Sequence, residues 1–254
     1  MNSGETVESR SFLTELRLAV SFLTIIPVID ARPSSEEAVA ASFAWFPLVG
    51  FAIGVALCFE DALLGYVFGQ TIRSVLIILT LTIITGAVHL DGLADTADAL
   101  GAGKNRERAL DILRDSRIGT FGTAAIFFDL ALKIFALAAL AGSRRYAALV
   151  LAPGLARWAM VIVADRIDYL RSSGAGSTLL PGDTGQRLIR ASVTAGVVLF
   201  WAFSMRAIGA AFVALFAAVA IREFYRRWIG GVTGDLIGAC GEIAEVAVLI
   251  AMAS

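Results

Sequence analysis

Ile72-Arg-Ser-Val-Leu-Ile-Ile-Leu-Thr-Leu-Thr-Ile-Ile-Thr-Gly-Ala-Val-His89-Leu90 runs without a carboxylate and then meets Asp91-Gly-Leu-Ala-Asp95-Thr-Ala-Asp98. Roughly 20 mostly apolar residues is the length that crosses a bilayer. Acids set directly at the end of such a run are costly near lipid and are usually kept for chemistry or transport. They continue through Glu107 and Asp111 to Asp115-Ser-Arg-Ile-Gly-Thr-Phe-Gly122.

The rest of the chain is of the same kind. With 58% hydrophobic and 17% charged residues over 254 positions, and a mean hydropathy of +0.79, a soluble globular domain is excluded. An all-α, polytopic integral membrane protein is expected instead, as one membrane-embedded domain over residues 1–254. Apolar runs at 38–57, 72–90, 118–140, 146–164, 188–205, 207–221 and 236–252 give about seven spans. Residues 11–29 read as an N-terminal interfacial or half-inserted helix, because Glu15 and Arg17 interrupt its start and Pro27 limits its end.

Those spans place Arg10, Arg17 and Arg32 on the same face as the loops 91–117, 165–187 and 222–235, together with most of the Lys and Arg. Arg73, Arg144, Arg145 and Arg206 fall on the other face. Basic loops stay on the cytoplasmic side, so the three long polar loops are expected to share that side and to enclose one site. The polar N-terminus shows no cleavable signal peptide. Cys58 and Cys240 lack metal-ligand spacing and would lie toward opposite faces, so no disulfide joins them. No nucleic-acid partner is expected, and the oligomeric state stays open.

On a helix, Asp91, Asp95 and Asp98 fall within an arc of roughly 60° and face one point. Without a counter-ion they would repel one another. Hard oxygen ligands suit Mg²⁺, which takes one or two carboxylates and completes its shell with water and phosphate; a solvated loop start with capping aspartates is the bland alternative. His89, the only histidine, could act as a base, a ligand, an orienter or a purely structural residue.

Lys104 to Arg117 interleaves basic and acidic residues. Helical spacing would put Asp111 and Asp115 on one face and Arg114 and Arg117 on a neighbouring one, where guanidiniums could grip phosphate. Alone, such a run reads as a solvated face; after a triple-Asp loop it reads better as part of a phosphate site. Gly174 to Arg187 has the composition of a lid or substrate loop, including Asp183. Gly230-Gly231-Val-Thr-Gly-Asp235 offers backbone amides to an anion at a helix start. Beyond it, Glu242 and Glu245 must face protein or water, as must Arg157, Asp129 and Lys133.

Taken in order, Gly86-Ala-Val-His89-Leu-Asp91-Gly-Leu-Ala-Asp95-Thr-Ala-Asp98, Leu110-Asp111-Ile-Leu-Arg114-Asp115-Ser-Arg117-Ile-Gly-Thr-Phe-Gly122 and Gly230-Gly-Val-Thr-Gly-Asp235-Leu-Ile-Gly-Ala with Glu242 resemble the cobalamin synthase family, the adenosylcobinamide-GDP ribazoletransferases. Phe22-Leu-Thr-Ile-Ile-Pro27, Phe46-Pro-Leu-Val-Gly50 and Ala152-Pro-Gly-Leu-Ala-Arg157-Trp158 extend the likeness to nearly the whole chain. The loop at Gly174 departs from the pattern, which puts the roles of Asp183 and Arg187 in doubt.

The resemblance implies a Mg²⁺-dependent enzyme of the bacterial cytoplasmic (inner) membrane. It would join adenosylcobinamide-GDP to α-ribazole or its 5′-phosphate and release GMP, the last assembly step of cobalamin. It would use Asp91, Asp95 and Asp98 as metal ligands, with Asp111 or Asp115 as second-site ligand or base. Arg114 and Arg117 would hold phosphate, and Asp235 would close the site. Two rivals stand beside it: a CDP-alcohol phosphotransferase, whose pattern puts an Arg soon after the first Asp-Gly where this chain has none until Arg106, and an ion- or proton-coupled transporter using Asp129, Glu242 and Glu245, which internal repeats would favour but of which the sequence shows none.

Overall fold

The computed structural model describes residues 12–28, 36–103, 105–115, 117–170, 184–202 and 205–254. Among them, helices follow one another as α1 (Phe12–Leu23), α2 (Glu36–Ser42), α3 (Phe46–Leu64), α4 (Gln70–Ile84), α5 (Val88–Leu100), α6 (Arg106–Ile112), α7 (Thr120–Ala138), α8 (Gly142–Ala164), α9 (Thr184–Ala202), α10 (Met205–Trp228) and α11 (Gly234–Ala253), with a short 3₁₀ turn, Phe43–Trp45, joining α2 to α3. The all-helical, polytopic expectation holds. The span count does not: five helices are long and apolar enough to cross a membrane, six if α4 and α5 are taken as one broken span. The segment expected at 188–205 is α9, which carries Arg187 and Arg190 in its first two turns and is not among them.

The run that opened the reading, 72–90, is not one span either. It breaks at Thr85-Gly86-Ala87, and α4 and α5 meet at 90°. Gly86 and Ala87 both adopt left-handed backbone, with φ of 62° and 55°, a conformation that costs a non-glycine residue roughly 1–2 kcal/mol. Neighbouring backbone offsets that strain. The Ile25 amide donates to the Ile84 carbonyl at 2.8 Å, and the Ala87 amide donates to Thr82 O at 2.9 Å, so the end of α4 is satisfied although the helix stops inside an apolar run.

α8 is the hub, buried along almost its full length and packed on α3, α9, α10 and α11. Its crossing with α3 is backbone-close because Gly50 and Gly54, four apart, lie against the carbonyls of Pro153 and Leu149, where a Cβ would clash. This is the small-residue spacing that lets membrane helices approach. Pro153 has no N–H to return to Leu149 O, so the α3 contact covers a carbonyl that the helix itself leaves open.

The end of the bundle away from the acids is tied by charge. Arg145, at the start of α8, donates through Nη2 to Asp61 Oδ1 at 2.7 Å and through Nη1 to Ser74 Oγ at 3.0 Å and to Leu137 O at 2.6 Å. Arg73 adds a second cation at 3.5 Å from Asp61. Losing one partner of such a buried pair costs roughly 3–5 kcal/mol, so α3, α4, α7 and α8 are fixed there. Gln70 joins them, donating to Ala138 O at 2.6 Å.

α1 spans only about 18 Å, too short to cross, in keeping with an interfacial or half-inserted helix. Its buried Glu15 accepts from Trp45 Nε1 at 2.8 Å and lies 3.8 Å from Arg190 of α9, while Phe12, Leu13, Ile25 and Ile26 stay exposed. Cys58 and Cys240 are both free, as expected.

Candidate functional site

Asp91, Asp95 and Asp98 do lie on one continuous helix, α5. Much of the rest of the helix is buried: Leu90, Leu93 and Ala94 are covered where α5 packs on α7 and α11, as are Thr96 and Ala99. The three acids therefore form its least buried stripe, with Asp91 exposed and Asp95 and Asp98 half-buried. Gly92 explains how α5 docks. A Cβ there would sit 2.7 Å from Asp235 O and 2.9 Å from Asp235 Cα, so the backbone of the α11 start rests directly on the acid-bearing helix. Asp235 is thereby brought beside the Asp91–Asp95 turn, from a position more than a hundred residues on.

Asp98 has a different task from its two neighbours. Its Oδ2 accepts from the Gly119 amide at 2.6 Å and its Oδ1 from the Gly122 amide at 2.9 Å. These are amides at the start of α7, which a helix leaves unsatisfied and which carry partial positive charge. A Cβ at Gly119 or Gly122 would lie 2.5 Å from an Asp98 carboxylate oxygen. The Gly-Thr-Phe-Gly run is glycine-bounded for this contact, and Asp98 caps α7 from a distance.

His89 does not share the acid face. Two residues before Asp91 on a helix, it points roughly 160° away, is buried, and packs its Cα against Gly238 of α11. The expected face shared by Asp111 and Asp115 is also absent, because α6 ends at Ile112. Asp111 pairs with Arg114 at 3.7 Å on an open surface. Asp115 instead binds Arg117 through a bifurcated contact, with Nε at 3.0 Å from Oδ1 and Nη2 at 2.5 Å from Oδ2. The hydrogen bonds from the Arg117 side chain and amide hold the Asp115 carboxyl below the usual carboxylate range.

The glycines at 230 and 231 shape the chain. Gly230 has φ 80°, and its amide donates to Tyr225 O at 3.1 Å. Gly231 lies against Asp168 O, where a Cβ would clash. The next amides are taken as well: Val232 N donates to Asp168 O at 2.8 Å, Gly234 N to Tyr169 Oη at 3.2 Å, and Leu236 N to Thr233 Oγ1 at 3.4 Å. Leu170 N returns a bond to Val232 O at 2.9 Å, so the segments 168–170 and 230–233 pair as two short extended stretches.

The described parts of the loops expected to share one end do share it. Beyond the pairing of 168–170 with 230–233, Trp228 Nε1 donates to Gly103 O at 3.0 Å, and Arg106 stacks its guanidinium about 3.5 Å from where a Gly230 Cβ would stand. Arg106 was not singled out from spacing; its position on the first turn of α6, after the α5 acids, was the available signal. A narrow cleft beside the α11 start is lined by Phe43, Val161, Asp165, Tyr169, Arg187 and Ile237. Asp183 lies outside the described residues, as do the other residues of the 171–183 loop.

Among the described residues no three His, Cys, Asp or Glu side chains converge closely enough to hold a metal ion unaided. That fits Mg²⁺, which is typically bound by one or two carboxylates plus water and substrate phosphate and not by an all-protein cage. Asp91 and Asp95, one turn apart on the least buried stripe of α5, are the carboxylates that could serve such an ion.

Comparison with known proteins follows the same residues. The family model described as cobalamin-5-phosphate synthase matches residues 15–253. A curated relative from Syntrophobacter fumaroxidans, named adenosylcobinamide-GDP ribazoletransferase, is 37% identical over 92% of this chain and 96% of its own length. Relatives of the same name from Roseiflexus sp. and Bradyrhizobium diazoefficiens are 39% and 34% identical, covering 91% and 96% of this chain and 86% and 95% of their own. No solved structure matches. With the family model covering nearly every residue and relatives above 30% identity along the whole length, the chain belongs to the cobalamin-5-phosphate synthase family.

Proposed function

We infer that the acid-lined end of the bundle is the transfer site of this family's reaction. The chain is an adenosylcobinamide-GDP ribazoletransferase, acting in the final step of cobalamin biosynthesis. The hydroxyl of α-ribazole, or of its 5′-phosphate, attacks the cobinamide-bearing phosphorus, and GMP leaves. Such a phosphoryl transfer asks the protein for positioning and charge neutralisation more than for covalent chemistry. The observation that carries the reading is the contact of Gly92 with the Asp235 backbone, which seats the start of α11 against the helix that bears Asp91 and Asp95.

Asp91 and Asp95 would hold Mg²⁺, with Asp235 closing the site. When bound, the ion would neutralise the pyrophosphate oxygens and stabilise the leaving phosphate. Asp98 serves the site indirectly by fixing α7 to α5. Arg114 and Arg117 are paired with carboxylates on an exposed surface, and such pairs are worth little, so both can exchange a carboxylate for a substrate phosphate. Arg106, against the Gly230 turn, is a third cation at the same end. Asp111 and Asp115 then act as surface partners of these arginines. The asymmetry of basic residues supports a cytoplasmic position for this end at a bacterial inner membrane.

The test is turnover by purified protein in detergent with adenosylcobinamide-GDP and Mg²⁺, α-ribazole and its 5′-phosphate being supplied in parallel. GMP and cobalamin, or cobalamin phosphate, should appear together in equal amounts. Absence of both, with activity on a CDP-alcohol lipid precursor instead, would contradict the reading.

A further inference from the structure

Three helices of membrane-spanning length carry charge into the bundle interior and bring it to one point. Lys133 of α7 lies 3.0 Å from Asp129, one turn earlier on the same helix, contacts Glu242 of α11, and stands 3.6 Å from Glu245 Oε1. Arg157 of α8 donates to Glu245 Oε2 at 2.5 Å. All five side chains are at least nine-tenths buried. The cluster thus holds three carboxylates against two cations, a surplus of one negative charge if all are ionised. An uncompensated charge in such surroundings is strongly penalised.

The geometry also leaves an acceptor open. Glu245 Oε1 is buried with no hydrogen-bond donor aligned on it, the Lys133 ammonium standing 3.6 Å away. Beside it, under the α4–α5 break, lies a small cavity lined by Leu81, Thr82, Thr85, Lys133, Arg157 and Glu242, among others, with room for about one water molecule. The elements around the cluster add one titratable neighbour: α4 faces it with Thr82 and Thr85, and α5 contributes His89, within electrostatic reach of Arg157, Glu245 and Lys133.

We propose that this cluster is a buried site for a single positive charge, filled by one exchangeable proton shared among Asp129, Glu242 and Glu245. The proton brings three acids and two bases to neutrality and supplies the donor that Glu245 Oε1 lacks. It needs no more room than the cavity offers. The site lies beneath the start of α5, whose backbone rests on α11 at His89 and Gly238, so the helix bearing Asp91 and Asp95 is seated on a neutral core.

The three acids are equivalent in one respect. Neutralising any one of them leaves two carboxylates for two cations, and no proton is then required. Infrared spectra of the purified full chain should show the carbonyl stretch of a protonated carboxyl that shifts in D₂O, and Asp129→Asn, Glu242→Gln and Glu245→Gln should each abolish it. Thermal melting gives a second reading that does not depend on all variants folding. The melting temperature of the wild type should fall as pH rises from about 6 to about 9, because the native cluster holds a proton that unfolded carboxyls near their ordinary pKa release. In Asp129→Asn that dependence should vanish. Absence of the carboxyl band in the wild type would overturn the proposal. So would its displacement on replacing choline chloride by sodium chloride with a rise in melting temperature, which would assign the charge to a metal cation.

Discussion

Asp91→Asn and Asp95→Asn are each expected to lower kcat by about 100-fold or more, the scale seen when one charged group acting on a developing transition-state charge is removed. Neither should unfold the protein. Asp91 is exposed and Asp95 half-buried, so the amide replacements leave the packing of α5 on α7 and α11 as it is. Raising Mg²⁺ should restore part of the loss if the defect is one of metal affinity. Asp98 provides the contrast. Its oxygens bind the Gly119 and Gly122 amides, and Asp98→Ala should cost stability by about 0.5–2 kcal/mol, as loss of a helix cap does. Three aspartates on one helix stripe thus separate into two that fail in turnover and one that fails in melting. Near-normal turnover of Asp91→Asn and Asp95→Asn at saturating Mg²⁺ would remove α5 from the metal site.

Gly92→Ala is expected to be nearly as damaging, although it adds one methyl group. That Cβ would meet Asp235 O at 2.7 Å and Asp235 Cα at 2.9 Å, and both are backbone atoms that no rotamer change can move. The two helices must part, at a packing cost of roughly 1–3 kcal/mol. A displacement of about 1 Å between catalytic groups lowers rate by about 100-fold. Gly209 is the matched control, since nothing lies within 4 Å of its Cβ position. Gly209→Ala in α10 should leave turnover unchanged and raise stability by about 0.5–1 kcal/mol through reduced backbone freedom. Equal behaviour of the two variants in melting and turnover would dissociate the α5–α11 contact from function.

Much of this arrangement is legible in the chain itself. Length and hydropathy find α3, α7, α8, α10 and α11, and the spacing of Asp91, Asp95 and Asp98 places them on one helix face. The break at Thr85 is not legible, because apolar residues continue through Leu90 and the stop is made by Ile25, sixty residues earlier, covering the Ile84 carbonyl. Arg187 and Arg190 weaken α9 as a span in a way that a window centred on 188–205 averages away. Other errors share one cause: a residue's partner was assumed to be local or a ligand, and the fold supplied a distant one. Asp98 caps α7, Gly231 makes room for Asp168, and Arg145 neutralises Asp61 across 84 positions of sequence. Gly50-x-x-x-Gly54 was readable as a close-approach spacing, and its partner carbonyls on α8 follow from Pro153.

The role given to Asp91 and Asp95 rests on metal binding, which can be read without turnover. Titrating Mn²⁺ as a paramagnetic substitute into the detergent-purified protein with adenosylcobinamide-GDP, and following free Mn²⁺ by electron paramagnetic resonance, measures it directly. Wild-type protein should deplete the free-ion signal, and the Asp91→Asn, Asp95→Asn double variant should leave it as high as in a protein-free control containing the same substrate. Equal depletion by wild type and double variant, with both folded, would contradict the assignment of this helix as the metal-binding element.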